Sequence, residues 1–285
     1  MVSETPSSNE ALCLRTLQET DRDRYLASLL TPAYRRAAVV ALYAYNAELA
    51  RVRYLVREPL PGEVRLQYWR DLLEGSAHGE TAANPVAAEL LRAVEAFRLP
   101  VAPLVSMADA RIFDLYDDPM ETTGMFEGYA GETAAALIQL VSLVLDAAAA
   151  EMATEIAGHA GVALAVAGAL LLMPIHRARG QVYLPTQILA SVGLDRDGFL
   201  ASGNDDRKAA AIQAFAGFGL DHLAKARAAG RLPKSLIPAY LPVTLAEPVL
   251  RRAAKAGASV LSEDIRPPQW RRQIAMMRLL ITGRL

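Results

Sequence analysis

Disulfides, strands and a strong electrostatic field all have little support in this chain. Cys13 is the one cysteine in 285 residues, which excludes an intrachain disulfide framework and a cysteine-based zinc site. A buried, unreactive thiol in a reducing compartment is the expectation. Aromatic residues make up only 6% of the chain and alternating Val/Ile/Thr runs are scarce, so strands are not expected. A net charge of -1 provides no global field for nucleic acid. The sequence has no Gly-x-Gly-x-x-Gly after a strand, no P-loop, no Gly-x-Ser-x-Gly and no His-Glu-x-x-His. Nucleotide-binding and hydrolase chemistries are therefore not first readings. Residues 1–10 are polar and acidic, without the basic start and apolar run of a signal peptide. They are expected to be disordered, ahead of one domain over residues 11–285 in a cytoplasmic chain.

What is present is alanine, leucine and arginine in helical patterns. With 53% hydrophobic residues, the chain can bury a large core. Helices are expected over Ala11–Leu30, broken at Asp21–Arg24, and from Thr31–Pro32 to about Tyr54, with Thr31 as N-cap. Glu58–Gly62 reads as a break, followed by a helix carrying Leu66, Trp69, Leu72 and Leu73 that ends near Gly75. Ser76–Asn84 reads as a polar loop. Further helices are expected over Pro85–Phe97, Pro103–Leu115, Phe126–Asp146 and Ala147–Leu172, with Pro174 ending or kinking the last. Gly193–Asp206 reads as a loop, and Arg207–Ala229 as helix. Four prolines between Pro233 and Pro248 point to short helical turns, and Val249–Ala258 and Gln269–Thr282 complete an all-α chain. Ile156–Ile175 is apolar over a membrane-spanning length. It lacks bracketing Trp or Tyr, with Glu151 and Glu155 just upstream, so a fully buried bundle helix is the expectation.

Three separated segments carry a family resemblance. They are Asp23–Pro32 leading into Ala41-Leu42-Tyr43-Ala44-Tyr45, then Tyr129-Ala130-Gly131-Glu132-Thr133-Ala134, and Gly161 through Arg179-Gly180-Gln181-Val182-Tyr183-Leu184-Pro185. Together they resemble the squalene/phytoene synthase family, and the last run is the most specific. The resemblance implies an all-α isoprenoid-synthase-type helical bundle with a central cavity. In active members, each of two facing helices presents aspartates at i and i+4, one carboxylate above the other. Those carboxylates hold magnesium against the substrate diphosphate. Counted from Tyr43, the first pair would fall on Ala50 and Tyr54. Counted back from Arg179, the second would fall on Leu172 and His176. No aspartate occurs from Ala33 to Arg70 or from Ala147 to Leu194, so no register slip restores either pair.

A narrower likeness is carried by Asn46-x-Glu48-Leu49-Ala50-x-Val52, Arg65–Trp69 and Pro174-x-His176. It points to the branch that also lacks the aspartates, typified by a mitochondrial complex I assembly factor. That likeness implies a non-catalytic role in maturing the respiratory NADH:ubiquinone oxidoreductase. Complex I subunits or other assembly factors would be the partners, an isoprenoid or lipid a further ligand, and no cofactor would be needed. The alternatives are an active head-to-head prenyltransferase, which would need Mg2+, and an isoprenoid or lipid carrier. On this reading the cavity candidates of the first half are Asn46, Glu48, Ala50, Arg51, Tyr54 and Asp114. Those of the second half are Gly168, Leu172, His176, Arg179 and Tyr183.

Other residues keep two readings. Asp114 and Asp118 have the spacing of a metal motif, or they form a solvated helix end before Pro119. His176, Arg177 and Arg179 make a basic site for a phosphate or lipid head group, or they pair with Glu48 or with helix-end carbonyls. His159 reads as a satisfied core histidine. From Arg251 onward, seven arginines and one lysine face two acidic residues. This gives a basic amphipathic last helix whose apolar face is expected to pack on the bundle. Its basic face is open to peripheral contact with the inner surface of a membrane.

Overall fold

The computed structural model describes residues 8–76, 83–116 and 118–285. Among them there are helices and no strand. The chain divides into two compact units, Met1–Tyr116 with Ala136–Met152, and Asp117–Ala135 with Ala153–Leu285.

The first unit is built on α3 (Ala33–Leu55), which is buried without interruption from Ala38 to Ala47. Such a helix needs neighbours on every side. They are α1 (Ser8–Thr20), α2 (Arg22–Leu29), α4 (Pro59–Leu73), α5 (Pro85–Phe97), α6 (Val101–Ala110) and α8 (Ala136–Leu145). The remaining helix, α9 (Ala147–Met152), packs on α8. Tyr45 locks the centre: its hydroxyl donates to Leu104 O at 2.8 Å and its ring meets Trp69 edge-on at 5.1 Å. Cys13 is fully buried under α5, its thiol donating to Pro85 O. Burial, then Glu89, pushes its pKa up to about 12, so the thiol is free and buried as expected and is held in its protonated form.

Several boundaries differ from expectation. α1 begins at Ser8, inside the stretch expected to be disordered; residues 1–7 lie outside the described residues. Thr31 is not the N-cap of α3. Pro32, at φ -51° and ψ 135°, takes that position, and the Thr31 hydroxyl donates back to Ala27 O. The Glu58–Gly62 break is instead the start of α4, with Pro59 in its first turn, where a missing N–H costs nothing. Asn84 caps α5 as expected of a loop end, accepting from Val86 and Ala87; residues 77–82 of that loop lie outside the described residues. The helix expected over Pro103–Leu115 ends at Ala110, followed by a 3-10 turn, Phe113–Leu115.

The second unit opens with α7 (Thr123–Ala130), capped by the Thr122 hydroxyl, and a π turn, Gly131–Ala135. Its core pair is α10 (Thr154–Leu171) and α14 (Asp205–Ala228), with α16 (Ala246–Ala256) against both. Between α10 and α14 lie three short helices, α11 (Met173–Ala178), α12 (Thr186–Ser191) and α13 (Arg196–Leu200). The last interrupts the stretch expected to be a loop: Asp195 caps it, accepting from Gly198 N at 2.7 Å. Pro174 sits in the first turn of α11 instead of kinking α10, which has already ended at Leu171. The proline-rich stretch forms the expected short turns, including α15 (Ile237–Tyr240) and the 3-10 helix Leu241–Leu245.

α10 is long and apolar enough to cross a membrane, as is the helical stretch Thr123–Leu145. Only half of α10 is buried within the protein, not all of it as expected. Its buried face is made of Ala and Gly, which brings neighbours close. A Cβ on Gly161 would stand 2.4 Å from Ala135 Cα.

Candidate functional site

In the first unit, α3 carries five of the candidates. Asn46 is buried, Glu48, Ala50 and Arg51 are half-buried, and Tyr54 is exposed at the end of the helix. Glu48 and Arg51 are one turn apart and pair at 3.0 Å, so they neutralise each other. Nearby on the same helix, the buried Tyr43 hydroxyl has no hydrogen-bond partner among the described residues. Burial pushes its pKa up. The Arg24 guanidinium lies 5.9 Å from the Tyr43 ring and is held by Asp21.

Asp114 and Asp118 do not share a helical face. The 3-10 turn stops at Leu115, and Tyr116 is extended at φ -105° and ψ 156°. Asp114 is buried and paired with Arg111 at 3.0 Å, whereas Asp118 is exposed. The shared helical face on which the metal reading of that spacing depended is absent, because the helix has ended.

In the second unit, the Arg179–Pro185 run folds into a wall. Gly180 takes φ +74°, a left-handed turn that glycine adopts without strain. The Arg196 guanidinium donates to Gly180 O at 2.8 Å. His176 O accepts from both Arg179 N and Gln181 N, closing the turn around the end of α11. The Tyr183 ring then lies 4.5 Å from the His176 ring. These two candidates line a small pocket together with Ala169, Met173, Arg177, Gln181 and Phe199. Gly168, Leu172 and Arg179 stand outside its lining, and Arg179 is exposed. The pocket measures about 10 Å³, room for a water molecule. Ligand pockets of roughly 300–1,000 Å³ are the norm for larger molecules.

Sequence reasoning missed a polar chain beside this wall. His159 Nδ1 and His222 Nδ1 are 3.1 Å apart, and His222 Nε2 meets Glu127 Oε1 at 3.0 Å. His159 is satisfied as expected but half-buried instead of in the core, and its partner, His222, lies 63 residues away, where no local pattern reveals it. Phe218 packs edge-on to His222 at 4.7 Å, and Phe126 and Tyr129 continue the ring contacts to Tyr183.

Burial lowers the His222 pKa below 6.5, with Lys225 and His159 acting in the same direction against Glu127. Folding therefore favours the neutral ring. This contribution is complete above pH 6.5 and is lost as pH falls from there through the depressed folded value. Urea unfolding at successive pH values should show a smaller acid-side loss of stability in His222→Gln than in the parent.

The helical architecture is of isoprenoid-synthase type. Superposition on a crystal structure of a dehydrosqualene synthase in complex with ligand gives a TM-score of 0.80 at 16% identity, covering 95% of each chain. The squalene synthase HpnC from Alicyclobacillus acidocaldarius gives 0.72 at 18% identity, covering 87% of this chain and 94% of that one. The squalene/phytoene synthase family model matches residues 17–277, and the chain belongs to that family. Among curated relatives, complex I assembly factor 6 (NADH dehydrogenase, ubiquinone) of Rattus norvegicus and of Homo sapiens are each 30% identical over 254 residues. Each match covers 89% of this chain and 76% of the relative. A 15-cis-phytoene synthase from Synechocystis sp. is 27% identical over 210 residues, covering 69% of this chain and 61% of that protein.

The family implies magnesium, which prefers carboxylate and water oxygens. At the implied positions stand Ala50, Tyr54, Leu172 and His176, none with a carboxylate. Asp114 is engaged by Arg111. Among the described residues, no group of three or more His, Cys, Asp or Glu is placed to hold a metal. The side chains present do not fit a magnesium-diphosphate site.

Proposed function

We propose that this chain is a non-catalytic squalene/phytoene synthase-like protein that acts in assembly of the respiratory NADH:ubiquinone oxidoreductase. Complex I subunits or other assembly factors would be its partners, and an isoprenoid or lipid a further ligand. The observation that carries this reading is the replacement of both aspartate pairs by Ala50, Tyr54, Leu172 and His176 in a chain matching complex I assembly factors over 89% of its length. Prenyl transfer needs its departing diphosphate neutralised, and these four side chains supply no metal ligand set for it. The proposed location is the cytoplasm, at the inner face of the membrane that holds the complex.

Deleting the gene tests this. Membranes of the deletion strain should lose most assembled complex and its NADH:ubiquinone activity, and Asp114→Asn or the wild-type gene should restore both. Unchanged complex I in the deletion strain would overturn the assembly reading.

A further inference from the structure

The last helix leaves one apolar row uncovered. α17 (Gln269–Thr282) packs through Met276 and Leu279, each 1% exposed, onto the 3-10 helix Leu241–Leu245 and α15. Trp270, Ile274, Met277 and Ile281 are 56%, 58%, 47% and 79% exposed. Steps of four, three and four residues put all four on one face, away from the packed pair. The apolar face expected to pack on the bundle is therefore divided, and its larger part meets solvent. Single exposed apolar side chains are ordinary, whereas an aligned row is not.

The charges beside the row indicate what covers it. Arg271 and Arg278, seven residues apart, stand along one edge of the row, both exposed. Arg271 lies over the Trp270 ring at 5.0 Å. α17 contains no acidic residue. A second copy packed antiparallel across a two-fold axis would set these arginine edges against each other. An acidic protein surface or nucleic acid would match the arginines but leave the apolar row unused. An anionic bilayer matches both: arginine stems lie along apolar surface with the guanidinium at phosphate depth, and tryptophan favours the head-group level.

We propose that this face docks the protein on an anionic lipid bilayer. The helix lies in the plane of the head groups, with Trp270, Ile274, Met277 and Ile281 inserted at the acyl boundary and Arg271 and Arg278 at the phosphates. The inference stands on the geometry of α17 and does not depend on the assembly reading.

Flotation of the purified full chain tests it, with vesicles of phosphatidylcholine alone and vesicles of phosphatidylcholine mixed with phosphatidylglycerol. The protein should float with the anionic vesicles, and Trp270 emission should shift to the blue, a shift absent from Trp270→Phe. Arg271→Glu with Arg278→Glu should remove the anionic preference, at about fivefold in affinity per arginine lost. Ile274→Asp with Ile281→Asp should weaken binding by at least about tenfold while leaving the unfolding midpoint unchanged, since both positions are exposed. Three results would overturn the proposal: no binding to anionic vesicles, equal binding by the two aspartate substitutions, or a parent dimer that these substitutions convert to monomer without any vesicle binding.

Discussion

Gly161→Ala should be among the most damaging single-methyl changes in the protein, costing about 3 kcal/mol. Glycine-to-alanine in a helix interior ordinarily gains up to about 1 kcal/mol. Here the added Cβ would stand 2.4 Å from Ala135 Cα and 2.5 Å from Ala135 N. Those are backbone atoms of the π turn, so no side-chain rotation relieves the clash. Either α10 moves away from the turn or the turn rewinds, and both disturb the packing of a dense core. Gly168 is the internal control, two helical turns along the same helix. A Cβ there meets no heavy atom within 4 Å, so Gly168→Ala should stabilise by about 0.5–1 kcal/mol. Urea unfolding of both variants decides the matter. Similar midpoints would show that the close approach of α10 to the π turn is not what holds this unit together.

Asp114→Ala should cost about 2–3 kcal/mol, somewhat less than the loss of one partner from a fully buried pair because Arg111 retains some solvent. The pair is short at 3.0 Å, with the Asp114 side chain 9% and the Arg111 side chain 17% exposed. Asp114→Asn keeps an acceptor for the guanidinium and should cost about 1 kcal/mol. Asp118→Ala, at an exposed position outside any helix, should stay within about 0.5 kcal/mol. This ranking separates two roles for the cluster. A shared metal would make Asp114 and Asp118 comparable and would tie the stability of both to added magnesium. A structural ion pair makes Asp114 alone matter, with no response to magnesium. Thermal unfolding of the three variants with and without magnesium reads the difference.

Helical periodicity and capping chemistry revealed most of the fold. Pro85–Phe97 coincides with α5 because Asn84 caps it and Pro85 opens its first turn, and Gln269–Thr282 coincides with α17, which starts directly after Pro268. The errors fall where proline has two uses. Pro59 read as part of a break but opens the first turn of α4, the one place in a helix where its missing N–H is harmless, while Pro174 does follow the end of α10, as one of its two readings had it, and sits in the first turn of the next helix. The divided apolar face of α17 was hidden for a different reason. Sequence shows amphipathic spacing but not how wide a stripe its neighbours cover. At the site, the loss of the aspartates could be read directly, because absence of a residue type needs no geometry. The contact between His176 and Tyr183 was half visible, since both lie in one family-like run. The Glu127–His222–His159 chain was not visible, since it joins three helices through side chains far apart in sequence.

In the proposed function the family frame persists without its metal chemistry. The most direct test is turnover of labelled farnesyl and geranylgeranyl diphosphate with magnesium, following pyrophosphate release and apolar product beside an authentic synthase. No pyrophosphate and no product are expected from this chain under conditions where the control turns over. Product that requires magnesium and disappears on Asp114→Asn, in a variant shown to remain folded, would contradict that reading and establish a replacement metal site.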